Sequence, residues 1–137
     1  MRSLLENLLA DIEAGLLTSV ANRAAAEAFD DFLDHAKNYL ADEKKNESGA
    51  IAGVVFEDSL RRICRKNQIP ERGEKIDDLI STLVKRDIIT PTKAKRARSA
   101  ADVRTKATHA QWDEFDLDDV RATIEFTREL IASELDN

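Results

Sequence analysis

Apolar positions recur along this chain with the period of a helix. Leu4, Leu5, Leu8, Leu9, Ile12, Leu16 and Leu17 fall at i, i+3/i+4 and i+7 and trace one stripe, the pattern of an amphipathic helix. A second stripe runs through Ala25, Phe29, Phe32, Ala36, Tyr39 and Leu40, with Asp30, Asp31, Asp34 and Lys37 off it. Asn38 to Ser48 is polar. Asn46-Glu47-Ser48-Gly49 reads as a loop, with Ser48 as N-cap of a third helix, Ala50 to Lys66. That helix opens apolar all round, from Ile51 through Gly53 to Phe56, which predicts a central, buried position. It closes on Arg61, Arg62, Arg65 and Lys66, cations that suit a helix C-terminus. A neighbouring helix can come close at Gly53, where glycine costs about 1 kcal/mol relative to Ala.

Asn67 to Gly73, with Ile69-Pro70, reads as a connection. The fourth helix has its face at Ile76, Leu79, Ile80, Leu83 and Val84 and ends near Asp87, with Ile88 and Ile89 expected in the core. Thr90-Pro91 is a start signal, threonine as N-cap and proline at the first helical position. The fifth helix, Pro91 to about His109, carries mostly alanine on its apolar side: Ala94, Ala97, Ala100, Ala101 and Ala107, with Val103. Asp116 with Asp119 reads as the N-cap of a last helix that places Leu117, Val120, Ile124, Ile131 and Leu135 on one face. The expectation is a small all-α bundle of five to six helices. Residues 1–18 form a leucine-rich helix that can stand as an appendage, and 19–137 form the bundle domain.

Composition narrows the class. With 137 residues the chain suits one domain. Four glycines, two prolines and 5% aromatic residues are too few for a many-stranded β fold. The single cysteine, Cys64, excludes an intrachain disulfide and suits a reducing, cytoplasmic compartment as a core thiol. No apolar run approaches the roughly 18 residues of a membrane span, and Glu6, Asn7 and Asp11 interrupt any signal peptide.

The net charge of −6 argues against a nucleic-acid partner until its distribution is considered. Between Arg61 and Lys106 there are 14 basic and 6 acidic residues, a local balance of +8, against −14 for the remainder. Such asymmetry can place a positive face on an acidic protein, or the cations can scatter over several helices.

Two histidines and one cysteine exclude most metal and nucleophile constellations, and no glycine-rich phosphate loop or C-x-x-C is present. No cofactor or metal is expected. Asp31 and His35 share a helix face, but two ligands do not make a site. The acidic run from Asp113 to Asp119 lacks the glycine and spaced glutamate of a calcium loop and reads as a helix cap. Arg104 and His109 remain. An imidazole, with an ordinary pKa near 6.5, can take or give the proton of an RNA 2′-hydroxyl. A guanidinium can hold the phosphate as charge builds on its oxygens. Five residues on an ideal helix place the two side chains about 140° apart. They converge only if the helix ends near His109 or if two copies face each other; otherwise they are a helix-terminal histidine and a surface arginine.

Over roughly Ala21 to Leu135 the order of features resembles the HEPN superfamily, in particular its small prokaryotic branch. The resemblance rests on the His35-Ala36-Lys37-Asn38-Tyr39-Leu40 helix and on Ala50 to Arg62, an apolar, glycine-containing helix closing in Glu57 and a Leu-Arg pair. It continues through Ile76-Asp77-Asp78-Leu79-Ile80 to Arg104-x4-His109, which matches the superfamily's R-x(4–6)-H signature at the end of the penultimate helix. The resemblance implies an antiparallel helical bundle that dimerises. It implies metal-free RNA cleavage in a composite cleft, leaving 2′,3′-cyclic phosphate and 5′-hydroxyl ends. His109 would then be the general acid/base and Arg104 the phosphate clamp, with Glu57 orienting one of them and Thr105 in support. Thr105 stands where active members commonly carry Asn, Asp or His, and Ala110 where glycine is frequent.

Two functions follow as expectations. The first is a homodimeric, metal-independent endoribonuclease of toxin, stress or phage-defence type, with Arg61, Arg62, Arg65, Lys95, Arg98 and Lys106 binding RNA. The second is a non-catalytic dimerisation or nucleotide-binding module in which Arg104 and His109 are structural or hold an anion. The leucine stripe also makes a protein partner plausible.

Overall fold

The structure, a computed structural model, describes residues 3–136. It contains five α-helices: α1 (Leu4–Ala41), α2 (Lys45–Lys66), α3 (Ile76–Lys85), α4 (Pro91–Thr108) and α5 (Leu117–Glu134), with a 3-10 turn at Trp112–Glu114. No strand occurs among the described residues. The all-α bundle read from the spacing is the architecture observed.

The caps explain most of the boundaries. Ser3 and Glu6 form a capping box at the start of α1, and Asp116 and Asp119 form another at α5. The Thr90 hydroxyl accepts from the Lys93 amide, with Pro91 at the first helical position. Elsewhere the expected boundaries are corrected. The two leucine- and phenylalanine-bearing stripes belong to one 38-residue helix, because nothing between Leu17 and Ala25 interrupts the helical hydrogen bonds. Ser48 is not an N-cap, and Asn46 to Gly49 is not a loop. α2 begins at Lys45, and the buried Ser48 hydroxyl donates to the Ala36 carbonyl at 2.6 Å. Gly49 leaves room for Phe115, whose ring would lie 2.7 Å from a Cβ there. Small residues here serve close packing.

Four long helices alternate in direction. Ser48 meets Ala36, and Arg62 bonds Asn22, so α2 runs antiparallel to α1. Gly53 lies against Arg104 while Arg61 faces Ala101, so α4 runs back along α2. Arg96 pairs with Glu129, and Ser99, Val103 and Asp119 share a groove with Phe126. α5 therefore returns along α4. The ring closes where Arg128 of α5 pairs with Asp30 and Asp34 of α1. α2 touches every other helix, as its apolar opening predicts, and α3 lies against α2 and α4. Phe56, Leu60, Ile63, Leu33, Ile80, Leu83, Phe126 and Leu130 are fully buried, each contributing about 1.5–3 kcal/mol by its removal from water. The alanines of α4 and Ile89 are buried as expected.

The register fixed by Ser48–Ala36 and Arg62–Asn22 places the end of α2, Lys66, opposite residue 18 of α1. The first 14 residues of α1, ~21 Å of helix, therefore run past the bundle. Here the stripe from Leu4 to Val20 contacts no core and is 48–87% exposed. Among the described residues no helix is long and apolar enough to cross a membrane.

Candidate functional site

α4 ends where the sequence places His109. The chain leaves the helix at Thr108, His109 occupies the C-cap, and Ala110 takes a left-handed conformation at φ 53°. The Gln111 amide closes the turn by donating to the Lys106 carbonyl at 2.8 Å. A left-handed residue with a Cβ costs about 1–2 kcal/mol, which explains why glycine would be favoured at this position. The exposed imidazole of His109 lines a cleft of about 910 Å³ between α2, α3 and α4. Glu57, Arg61, Lys75, Arg98, Asp102 and Thr105 line the same cleft.

Arg104 approaches from behind. Its Nε donates to Glu57 Oε1 at 2.9 Å, and its backbone and stem pack against Gly53. Glu57 Oε2 accepts from Arg61 Nε at 2.9 Å. Arg61 continues the chain by donating to the carbonyls of Glu71 (2.6 Å) and Glu74 (2.8 Å), which pins the irregular link ahead of α3. Partial burial pushes the Glu57 carboxyl up, but hydrogen bonds from Arg104 and Arg61 outweigh it and hold the group below its ordinary value. Burial and then the neighbouring Glu57 charge push Asp58 up. Burial, with Glu71 adding, pushes the Cys64 thiol to about 11, and the side chain is wholly enclosed. That suits a core thiol and not a nucleophile.

Arg104 and His109 therefore meet through Glu57, which holds the first and lines the cleft with the second. Of the basic residues expected to bind RNA, Arg61 and Arg98 line the cleft, with Arg98 also donating to Ser81 Oγ at 3.0 Å. The others disperse. Arg62 donates to Asn22 on α1, Arg65 pairs with Glu71, and Lys106 pairs with Asp102 and donates to the Glu114 carbonyl. Lys95 is exposed outside the cleft. Acidic partners thus take up much of the +8 segment. The Thr105 hydroxyl donates to the Ala101 carbonyl at 3.0 Å, the usual back-bond of a helical threonine.

Sequence reasoning did not single out Lys75, Asp77, Asp102 or Glu71. Glu71 is buried, accepts from Arg61 and forms an ion pair with Arg65. Glu71, Lys75 and Asp77 sit in or beside the 67–75 link, where no periodicity points to a face, and Asp102 lies on the exposed side of α4; the only signal was membership of the charge-rich middle segment. Among the described residues, no group of three His, Cys, Asp or Glu side chains is placed to hold a metal. No family profile, curated protein or solved structure matches the chain.

Proposed function

We propose that the chain is a metal-independent endoribonuclease of the HEPN type, acting as a homodimer in a cytoplasmic toxin, stress or phage-defence setting. The observation that carries the reading is that Glu57, which binds Arg104 from behind, lines one cleft with His109, at the end of the helix that bears the arginine and the histidine. In this mechanism the His109 imidazole accepts the proton of an RNA 2′-hydroxyl. The resulting oxygen attacks the adjacent phosphorus, the P–O5′ bond breaks, and the 5′-oxygen leaves with a proton from the imidazolium of the second copy. The products are a 2′,3′-cyclic phosphate and a 5′-hydroxyl. Glu57 engages Arg104 through Nε, so the two terminal nitrogens of the guanidinium fork supply the bidentate phosphate contact. Glu57 is a positioning residue, because it acts through Arg104 and Arg61.

One observation favours the non-catalytic reading. Three cations and three carboxylates line the cleft beside His109, and Glu57 already offsets Arg104. Such a balanced site has little surplus positive charge for the oxygens of a reacting phosphate, which suits a module that does not cleave. A cleavage assay in EDTA, comparing wild type, His109→Ala and Arg104→Ala with identification of the RNA ends, separates the two. Cyclic-phosphate ends from the wild type alone support the ribonuclease. Equal cleavage by His109→Ala removes that residue from the chemistry. No cleavage across varied RNAs, with mononucleotide binding lost in Arg104→Ala, assigns the binding module.

A further inference from the structure

The part of α1 that leaves the bundle has no use in the cleft. Its seven large apolar side chains, Leu4 to Leu17, together with Val20 at the root, point into solvent along a helix fixed there between α2 and α5. A leucine-sized side chain carries about 100 Å² of apolar surface. Eight of them, half to nine-tenths exposed, leave roughly 500 Å² bare per copy, at the upper end of what monomers expose. Two copies together supply about 1,000 Å², the threshold for a specific interface.

The stripe also reads nearly the same from either end. Reflected about the point between Ile12 and Glu13, Leu5 falls on Val20, Leu8 on Leu17 and Leu9 on Leu16. A patch that maps onto itself under reversal is what an isologous, two-fold contact requires. Gly15 has open space beyond its Cβ position, so a second helix can approach closely there. Charge selects the direction. Residues 3–22 hold Glu6, Asp11 and Glu13 and no Lys or Arg, whereas Arg23, Arg62 and Lys66 gather at the root. A parallel pair would stack all three carboxylates against their own copies. An antiparallel pair carries Glu6 to within about one turn of the partner's Arg23 and confines like charges to the centre. The same carboxylates disfavour an anionic membrane surface.

We infer that the N-terminal arm docks antiparallel on the arm of a second copy of this chain, with the two-fold axis near Ile12–Glu13. The contact lies at the end of the bundle where α2 and α5 finish, remote from His109. It neither builds the cleft nor depends on the ribonuclease reading.

The test uses full-length protein with single cysteines placed on the arm, Cys64 being fully buried and replaced by alanine in a parallel set. A short bismaleimide should join Glu13→Cys to its own copy. It should leave Glu6→Cys unjoined, since those residues lie ~20 Å apart in an antiparallel pair. Adding Leu9→Glu and Leu16→Glu should abolish the Glu13→Cys cross-link and lower the mass measured by sedimentation, to that of the monomer or of a pair joined only at the cleft, with the helical signal of the bundle retained. His109→Ala should leave the cross-link unchanged, so failure here and failure of RNA cleavage are read separately. Equal joining at positions 6 and 13, no joining at 13, unchanged mass in the stripe variant, or arm binding to phosphatidylserine vesicles without self-association would each overturn the inference.

Discussion

Gly53→Ala tests whether the approach of α4 to α2 sets the position of Arg104. A Cβ on residue 53 would lie 3.0 Å from Arg104 Cα, 3.2 Å from its Cδ and 3.3 Å from its Cβ, where carbon atoms prefer about 3.5–4.0 Å. The nearest atom is backbone, so a rotamer change does not relieve the contact. α4 itself must move outward by a few tenths of an ångström. It has little slack, because Ala94, Ala97, Ala100 and Ala101 are all buried against neighbours and interiors are packed near crystal density. Overpacking of this kind costs about 1–3 kcal/mol, and replacing a mid-helix glycine by alanine returns about 1 kcal/mol. The expected net loss is about 1 kcal/mol, or roughly 4 °C in Tm for a chain of this size. The same shift draws Arg104 Nε away from Glu57, so RNA cleavage or anion binding should fall with stability. Urea unfolding followed at 222 nm provides the stability measurement. Gly15→Ala, where nothing in the same chain lies within 4 Å of the new Cβ, is the control when made together with Leu9→Glu and Leu16→Glu, which leave the arm unpaired, and there should only gain helix. If Gly53→Ala proves about 1 kcal/mol more stable than wild type, the close approach does not constrain α4 and the reasoning is wrong.

Three further outcomes are expected. Because the Glu57 carboxyl is held below its ordinary value, its contribution to stability is present above the unfolded-state value near 4.5 and is lost as pH falls through the folded-state value. Glu57→Gln should therefore cost about 1–2 kcal/mol at pH 7 and flatten the acid limb of the stability–pH curve; an unchanged limb would assign the acid sensitivity elsewhere. Ala110→Gly relieves the left-handed φ and should raise stability by about 1 kcal/mol, read as a higher urea midpoint at unchanged slope. Cys64, buried and pushed to about 11, should resist thiol reagents at pH 8 in the native protein and react fully in denaturant; rapid native labelling would contradict its place in the core.

The sequence revealed elements wherever a residue's chemistry acts locally. Thr90-Pro91 and Asp116-x-x-Asp119 are caps whose hydrogen bonds close within three residues, so those boundaries were legible. The alanine face of α4 and the position of Ile89 followed from period alone. Ser48-Gly49 misled because the same residue types make loops and tight helix crossings, and only the partner, Ala36 or Phe115, tells which. The turns after α1, α2, α3 and α4 were hard to place for a related reason. Each uses a left-handed residue that is not glycine, namely Glu43, Gln68, Asp87 and Ala110, so the usual punctuation is missing. At the candidate site, Glu57, Arg104 and His109 were visible as residues, but the bond between Glu57 and Arg104 joins positions 47 apart. Periodicity has no means of showing such a bond. Nor does a leucine stripe announce whether it faces its own bundle or open water.

The pairing of α5 with α1 bears on the order in which the protein assembles. The pairings of α1 with α2, α2 with α4 and α4 with α5 join segments consecutive along the chain apart from the short α3, so those pairs form with small loop-closure entropy and favour fast folding, whereas α5 also reaches back to α2 and α1. The ion pairs from Arg128 to Asp30 and Asp34 span some ninety residues. They require α5, which leaves the ribosome after the other four helices. Until it arrives, Leu40 on α1 and Ala100 and Val103 on α4, which share grooves with α5, lack part of their cover. α5 is thus the closing stave of the barrel, and truncation within it should expose those faces to aggregation while leaving the α1–α2 hairpin able to form.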